Sequence, residues 1–433
     1  MNAEKFSQAH PIANSLWRAT APSEPASEPF EDGARKDVLI IGAGITGAVA
    51  ALRLQAAGAK VAVLDAGEPG SGASGRSGGF IVPSFSAVRP AQLYKGTGDG
   101  ADRLLAEIAG SGDLLFQLVA EYGIDCGGAQ GGWYQPAHSA EALSSCQADQ
   151  EVWRAVGGSM EVLDAQETAR RTGLTGYHGS LFAPSGGAVH PIKLIYGALT
   201  AAQARGATLH TRCRANSLRR EQDLWWADTP QGRIAGSRLL VCTNARSAIP
   251  GANIESSIVP LRVCQIATTP LSPEERLGLI GFGQSLADTR RNLFTYRFDE
   301  AGRLITGAMP LRAAGNTAAL GRSMVARLAS ALQLKRVPEV DYLWFGQGSV
   351  TRDRLPALYD LGPDAWALTA CNGRGLAAST MLATRTAEML LHDDPKRLPI
   401  PAVRPEPTHL RAMQVIGARM YSLYGRACDR LGL

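Results

Sequence analysis

The chain has little of several things, and each shortage narrows what it can be. Seven cysteines (Cys126, Cys146, Cys213, Cys242, Cys264, Cys371 and Cys428) occur in 433 residues, but no two are spaced C-x-x-C. No zinc or dithiol redox pair is therefore encoded, and an odd count fits reduced thiols in the cytoplasm. No metal site is expected. Basic residues form no block of five or more, and 44 Lys and Arg against 39 Asp and Glu leave a formal charge of only +5. That balance is too small and too scattered for a nucleic-acid surface. No stretch reaches the roughly 18 uninterrupted apolar residues of a membrane span, and the opening MNAEKFSQAHPIANSLWRATAP lacks the apolar core of a signal peptide. Charged residues make up 19% and hydrophobic residues 45%, which excludes disorder and coiled coil.

Glycine is abundant, with 48 residues, many in short clusters of the kind used where backbone must approach a ligand closely. Residues 1–35 are rich in Pro, Ser, Ala and Glu, show no period of 2 or 3.6, and read as an extended arm in which Trp17 is a packing anchor. Asp37-Val-Leu-Ile-Ile41 is an apolar run ended by glycine. Residues 47–58 then carry Ala and Leu at helical spacing before Lys60-Val-Ala-Val-Leu64, which makes a βαβ unit with strands apolar on both faces. A helix is expected from Pro191 to Arg205, stopped by Gly206. Strands follow within 207–228 and at 237–242. The segments LRVCQIATT, NLFTYRF and RLITGAM, separated by turn residues over 261–310, point to an antiparallel sheet. Residues 375–391 read as a core helix, and His409 to Leu433 as a basic amphipathic helix suited to docking.

Gly42-Ala-Gly44-Ile-Thr-Gly47 fits G-x-G-x-x-G. Its weight comes from context, since it follows a strand, opens a helix, and is followed by Asp65 at the end of the next strand within a unit of about 30 residues. In such a unit Gly42 makes the tight turn, Gly44 lets backbone reach a pyrophosphate, Gly47 permits helix–strand packing, and Asp65 accepts from ribose hydroxyls. The run Gly70-Ser-Gly-Ala-Ser-Gly-Arg-Ser-Gly-Gly79 has no strand leading into it. It reads as a loop whose backbone N–H groups and Arg76 could converge on phosphates or a flavin ring.

Together these motifs resemble the flavoenzyme superfamily of D-amino acid oxidase, glycine oxidase and monomeric sarcosine oxidase, and within it the gamma-glutamylputrescine oxidoreductase-like branch. Further matches are the Ser15-Leu-Trp-Arg-Ala-Thr-Ala21 arm, Ala188-Val-His190-Pro191, Thr351-Arg-Asp-Arg354-Leu-Pro356, the Gly373-Arg-Gly375 turn and the ending from Tyr424 to Asp429. The resemblance implies an α/β (α+β overall) fold, with a discontinuous Rossmann-like FAD-binding domain and a second domain built on an antiparallel sheet. The boundaries are 1–35 for the arm, 36–90, 170–260 and 341–395 for the FAD-binding domain, 91–169 and 261–340 for the substrate domain, and 396–433 for a tail helix.

The resemblance also implies FAD, held noncovalently, with a thioether through Cys371 as the less expected alternative. Carried over by position, contacts fall on Gly42, Gly44, Ile45, Thr46, Gly47, Asp65 and Ala66, on Ser74, Gly75, Arg76, Ser77, Gly78 and Gly79, on Ala215 beside the adenine, on Thr243, Asn244 and Ala245, and on Asn372, Gly373, Arg374, Gly375 and Leu376. The last turn departs from the branch, whose usual aromatic-Ser-Gly-His-Gly is replaced here by Cys371-Asn372-Gly373-Arg374-Gly375.

The implied reaction is oxidation of the C–N bond of an amine or amino-acid derivative (gamma-glutamyl amine, polyamine, N-alkyl or D-amino acid type). A hydride passes to flavin N5, the resulting imine hydrolyses, and O2 or another acceptor takes the electrons. The alternatives are a flavin-dependent monooxygenase, for which no second strand–glycine–helix unit is evident, and a flavin-binding protein without turnover. Candidate catalytic groups are His190, held extended before Pro191, and Tyr296 or Arg297, of which strand alternation allows only one to face the pocket. Trp344 and Arg354 are further candidates.

Overall fold

The computed structural model describes residues 15–244, 254–292, 294–309 and 317–407. Strand β1 (Ala34–Ile41) is exposed in alternation over its first half and buried on both faces over its last four residues. It leads through Gly42–Gly44 into helix α1 (Ile45–Ala56) and back to β2 (Val61–Leu64), which pairs parallel to β1. The small residues of α1 let it bury almost its whole circumference against two other helices. Strand β3 (Trp133–Ala137) opens a second sheet. Helix α2 (Pro191–Gln203) begins where proline fits the first helical position. Strand β4 (Gly232–Val241) returns to the first sheet, parallel to β1.

The first sheet is a parallel core ordered Ala365–Thr369, β4, β1, β2, Thr208–His210. Ala357–Gly362 and Ala402–Val403 extend one edge, and the hairpin Ser217–Glu221 and Leu224–Thr229 lies on the free half of β4. Helix α3 (Gly375–His392) packs beside α1. This half is built from distant pieces of chain, as a discontinuous Rossmann-like fold requires.

The second sheet adds β5 (Val259–Pro270), β6 (Ser285–Ala287), β7 (Thr295–Phe298), β8 (Arg303–Ala308) and β9 (Val340–Val350). Its order is β9, β5, β8, β7, β6, β3, Gly179–Ala183, Glu161–Asp164, antiparallel except where β6 meets β3. Two expected boundaries therefore shift. Residues 179–183 and 340–350 pair within this sheet rather than with the first, because β9 follows β5 along nearly its whole length.

Alternation along these strands sorts side chains onto two faces. Trp133, Ala267, Ile305 and Trp344 join the large core shared with α1, α2 and α3. Tyr134, Leu286, Tyr296, Phe298 and Leu304 form a separate cluster on the far side.

The arm is tied down from residue 15 onward. Ser15 caps the single turn Leu16–Ala19, whose Leu16 and Trp17 are buried. The Gln203 amide donates to the Ala26 carbonyl at 2.7 Å, and the Glu28 carboxylate accepts from the Leu209 N–H at 2.6 Å. After α3 the chain makes a short turn at Pro395–Arg397. The helix expected over 409–433 lies outside the described residues. No described helix is long and apolar enough to cross a membrane.

Candidate functional site

The cradle starts at Gly42, whose φ of +106° puts it in the left-handed region, and a Cβ there would lie 2.8 Å from the Cys242 carbonyl at the end of β4. Only glycine passes between the two strand ends in this way. Gly44 is the N-cap of α1 and supplies no side-chain acceptor. The first-turn N–H groups of a helix have no intrahelical partner, so this end of α1 keeps donors for an anion. Ser74 reaches one of them, its Oγ accepting from the Ile45 N–H at 3.1 Å. Asp65 braces the turn, Oδ2 accepting from the Ala43 N–H at 2.7 Å and Oδ1 from the Gly67 N–H at 2.8 Å. Thr46 is half-buried, Ala66 exposed, and Ala215 buried two residues after Cys213, whose N–H donates to the Asp65 carbonyl.

Residues 70–79 fold into a compact loop around the short turn Ser74–Arg76. Gly75 donates to the Gly70 carbonyl at 3.0 Å, at a spacing where a Cβ would sit 2.4 Å from that oxygen. A Cβ on Gly78 would meet the Phe80 ring at 2.5 Å. The Arg76 guanidinium is engaged by backbone instead of being aimed at phosphates: Nε donates to the Ser71 carbonyl at 2.9 Å and Nη1 to the Phe345 carbonyl at 3.0 Å. The Trp344 indole donates to the Arg76 carbonyl at 3.0 Å. The loop is thus fastened to β9, and its backbone is what remains for a ligand.

Arg297 and Tyr296 separate as alternation requires. Arg297 faces the loop, fully buried, Nη1 donating to the Gly79 and Val189 carbonyls at 2.7 Å each, with its guanidinium 5.2 Å from the Trp17 ring. Burial pushes its pKa down to about 10. Tyr296 points to the opposite face and donates to the Thr172 carbonyl inside the far cluster, away from the loop, contrary to its expected place at the substrate.

His190 caps α2, Nδ1 accepting from the Lys193 N–H at 3.1 Å. Nε2 lies 3.0 Å from the Thr20 hydroxyl, which itself donates to the Leu16 carbonyl. The tautomer follows: Nδ1 is bare and Nε2–H donates to Thr20. Burial, then the charges of Arg297 and Lys193, press the His190 pKa down to about 3. The ring is neutral and both nitrogens are committed, so the structure gives it a holding role in place of the candidate proton-shuttling one.

The third side of the site is the turn before α3. Its N-cap, Arg374, makes no capping bond, leaving a second helix end with donors to spare. Asn372 stands at φ +39° and Gly373 at +93°. Asn372 Oδ1 accepts from the Thr351 N–H at 2.9 Å. Asn244, at the end of β4, takes a hydrogen bond from the Ser349 hydroxyl, while Thr243 precedes it and Ala245 lies outside the described residues. Cys371 is half-buried, its Sγ 2.9 Å from where a Cβ on Gly348 would be.

Four buried side-chain atoms around these elements lack a hydrogen-bond partner: Trp133 Nε1, Gln265 Oε1, Arg297 Nε and Asn372 Nδ2. Buried polar atoms are normally paired. Gln265 and Arg297 stand against Gly78 and Gly79 of the loop, so orphaned atoms there are what a polar ligand would complete, and with the open helix ends they fit a dinucleotide cofactor. Two of these residues escaped sequence reasoning. Gln265 carries a weak signal, as the one polar side chain in Val263-Cys264-Gln265-Ile266, and its Oε1 lies 3.2 Å from a Cβ position on Gly78. Trp133 carries none beyond its size.

Comparison with known proteins agrees with this geometry. The family model for DAO, FAD dependent oxidoreductase, matches residues 37–389. The chain is 28% identical over 436 residues to gamma-glutamylputrescine oxidoreductase of Escherichia coli K12, covering 97% of this chain and 99% of that one. It is 26% identical to the probable oxidoreductase OrdL of Rhizobium meliloti, covering 95% and 97%. Glycine oxidase of Geobacillus kaustophilus superposes with a TM-score of 0.66 at 22% identity, covering 83% and 95%, and shows the same fold. L-proline dehydrogenase of P. horikoshii does so with 0.69 at 17%, covering 83% and 94%.

Proposed function

Because the chain belongs to the DAO family of FAD dependent oxidoreductases, we propose that it oxidises the C–N bond of an amine or amino-acid derivative, with FAD bound noncovalently. When bound, FAD supplies the acceptor for a hydride from the substrate carbon, leaving an imine that water hydrolyses. The observation that carries this reading is the pair of orphaned polar atoms, Gln265 Oε1 and Arg297 Nε, on residues of the second sheet that stand against Gly78 and Gly79. The full-length similarity to gamma-glutamylputrescine oxidoreductase supports an amine as the class.

In this reading the residues divide the work. Gly42, Gly44 and the first turn of α1 (Ile45, Thr46, Gly47) hold the pyrophosphate, Asp65 and Ala66 the ribose, and the segment ending at Ala215 lies beside the adenine. The backbone of Ser74–Gly79 and of Asn372–Leu376, with Thr243 and Asn244, surrounds the ring. Arg297 and Trp17 are positioning residues, because they fix the carbonyls of Ser77, Gly79 and Val189 from behind, while His190 holds the start of α2 and the Thr20 hydroxyl. Trp133, Gln265 and the wall of the second sheet exclude water and orient the substrate, which is most of what an oriented hydride transfer requires.

The test is an absorbance spectrum of the purified protein, followed anaerobically during addition of gamma-glutamyl amines, polyamines, N-alkyl amino acids and D-amino acids. Flavin bands that bleach with one class, from flavin released quantitatively by acid precipitation, are expected. Bands that no amine bleaches would return the chain to a monooxygenase or a non-turnover flavoprotein. Flavin retained in the precipitate would restore the Cys371 thioether.

A further inference from the structure

Between Asp65 and the turn Ser74–Arg76 the chain forms neither helix nor strand, and Glu68 is the one charged side chain of residues 66–73. Two arginines reach it from different parts of the chain. Arg18 Nη2 lies 3.3 Å from its Oε2 and Arg212 Nη2 lies 3.2 Å from its Oε1. Arg212 also forks onto Glu24, with Nη1 3.3 Å from Oε1 and Nη2 3.0 Å from Oε2. The series Arg18, Glu68, Arg212, Glu24 therefore starts in the arm, crosses to the cradle and returns to the arm. A network of this kind outweighs an isolated exposed ion pair.

Its members are fixed from behind. Arg18 Nη1 donates to the Tyr196 hydroxyl on α2 at 2.7 Å. Arg212 stands at φ +51°, uncommon for a residue with a Cβ, and its N–H donates to the Gly67 carbonyl at 3.0 Å. The arm itself runs along the edge strand Thr208–His210, the Glu28 N–H donating to the Leu209 carbonyl at 2.9 Å and Ser27 Oγ accepting from the Thr211 N–H at 3.1 Å. Ligands of such sheets sit outside the C-terminal strand ends, and Asp65 and Arg212 follow the ends of β2 and Thr208–His210. The ion pairs thus cross the open end of the sheet on its ribose side. Farther along, Arg76 fastens its own turn to β9, so residues 66–73 are the part of the cradle with the most room to move.

We propose that the arm is a latch on the cofactor: residues 66–73 lift as FAD enters or leaves, and they lift only when Arg18 and Arg212 release Glu68. The step breaks ion pairs and no covalent bond. Since entry and exit pass through the same open form, the latch sets both rates and leaves the FAD affinity nearly untouched. Trp17 differs, because it braces the bound form of the loop at Ser77. The inference rests on the cofactor placement above and not on the substrate.

The experiment follows exchange of bound FAD for an excess of the spectrally distinct 5-deaza-FAD, and entry of FAD into the apoprotein. Glu68→Gln removes the carboxylate from both arginines and is expected to speed exchange about three- to twentyfold. Entry should quicken by a similar factor, with the dissociation constant nearly unchanged. Arg18→Gln, which alters only the arm, should speed exchange about two- to fivefold, and adding it to Glu68→Gln should bring little more, because the two share one contact. Salt should hasten exchange in the wild type by screening these pairs, and much less in Glu68→Gln. Trypsin cleavage after Arg18 should rise in Glu68→Gln together with the exchange rate.

Unchanged exchange in both single variants overturns the latch. So does faster exit without faster entry, because Glu68 would then belong to the binding surface, and so does faster exchange with cleavage after Arg18 unchanged, because residues 66–73 would then open without the arm. Asp65→Asn, expected to raise the FAD dissociation constant, tests the placement of the cofactor by itself, so that its failure is distinct from that of the latch. Exchange needs no turnover, and a protein that no amine bleaches decides the matter equally well.

Discussion

The indole N–H of Trp17 donates a 2.7 Å hydrogen bond to the carbonyl of Ser77, 60 residues further along the chain. The same ring stands edge-on to His190 at 4.9 Å and to Trp344 at 5.8 Å, and the Arg297 guanidinium lies over it. One side chain from the arm thus touches the Gly70–Gly79 loop, the start of α2 and two strands of the second sheet. Trp17→Phe keeps most of the ring and strands the Ser77 carbonyl, which should cost about 1–3 kcal/mol. Trp17→Ala should cost about 3–5 kcal/mol. Both should raise the FAD dissociation constant, measured by fluorescence on the apoprotein. A Phe variant with unchanged FAD affinity would show that the loop does not depend on the arm.

Gly47 of the G-x-G-x-x-G motif and Gly72 of the Gly70–Gly79 loop should respond unequally. A Cβ at Gly47 would lie 1.9 Å from the Gly42 carbonyl, whereas one at Gly72 meets nothing within 4 Å. Gly47→Ala should therefore forfeit flavin binding or folding, and Gly72→Ala should leave the flavin content unchanged and the stability within about 0.5 kcal/mol of wild type. Equal behaviour of the two variants, by flavin-to-protein absorbance ratio, would contradict the difference in roles.

The contrast shows where sequence reasoning reaches. The βαβ unit was legible because the apolar strands, Gly42, Gly44, Gly47 and Asp65 are fixed by local geometry. Alternation along NLFTYRF stated that Tyr296 and Arg297 oppose each other, but not which faces the loop. That choice is made by the pairing of β7 with β6 and β8. Trp17 read as a modest anchor because its partners Ser77, His190, Arg297 and Trp344 are distant in sequence. The placement of 340–350 in the second sheet was hidden for the same reason, since its strand partners, from Thr268 opposite Val340 to Val259 opposite Val350, are too distant in sequence to leave a local mark.

His190 carries a pH signature. Its folded pKa of about 3 lies below the ordinary value of about 6.5, so the folded state favours the neutral ring. That contribution is present in full above pH 6.5 and is lost as pH falls from there toward 3, with a slope of up to about 1.4 kcal/mol per pH unit. His190→Asn keeps a capping acceptor and removes the titration. Urea midpoints taken from pH 7 to pH 4 should fall less steeply for the variant, and parallel limbs would mean that His190 is not protonating on unfolding.

Tyr296 and Arg297 offer a paired comparison, since adjacent residues on one short strand face opposite ways. Tyr296→Phe leaves the Thr172 carbonyl without its donor and should cost about 1 kcal/mol of stability, with the flavin spectrum, FAD affinity and KM unchanged. Arg297→Met strips the charged donor from the Gly79 and Val189 carbonyls, and each bond to a charged group is worth about 1.5–3 kcal/mol. Part of that loss is offset, because the variant no longer buries a guanidinium that has no carboxylate against it. The net stability change should thus be modest while the loop loosens, so that FAD affinity falls more than the melting temperature does. A flavin spectrum perturbed by Tyr296→Phe and untouched by Arg297→Met would mean that the strand presents its other face to the cofactor.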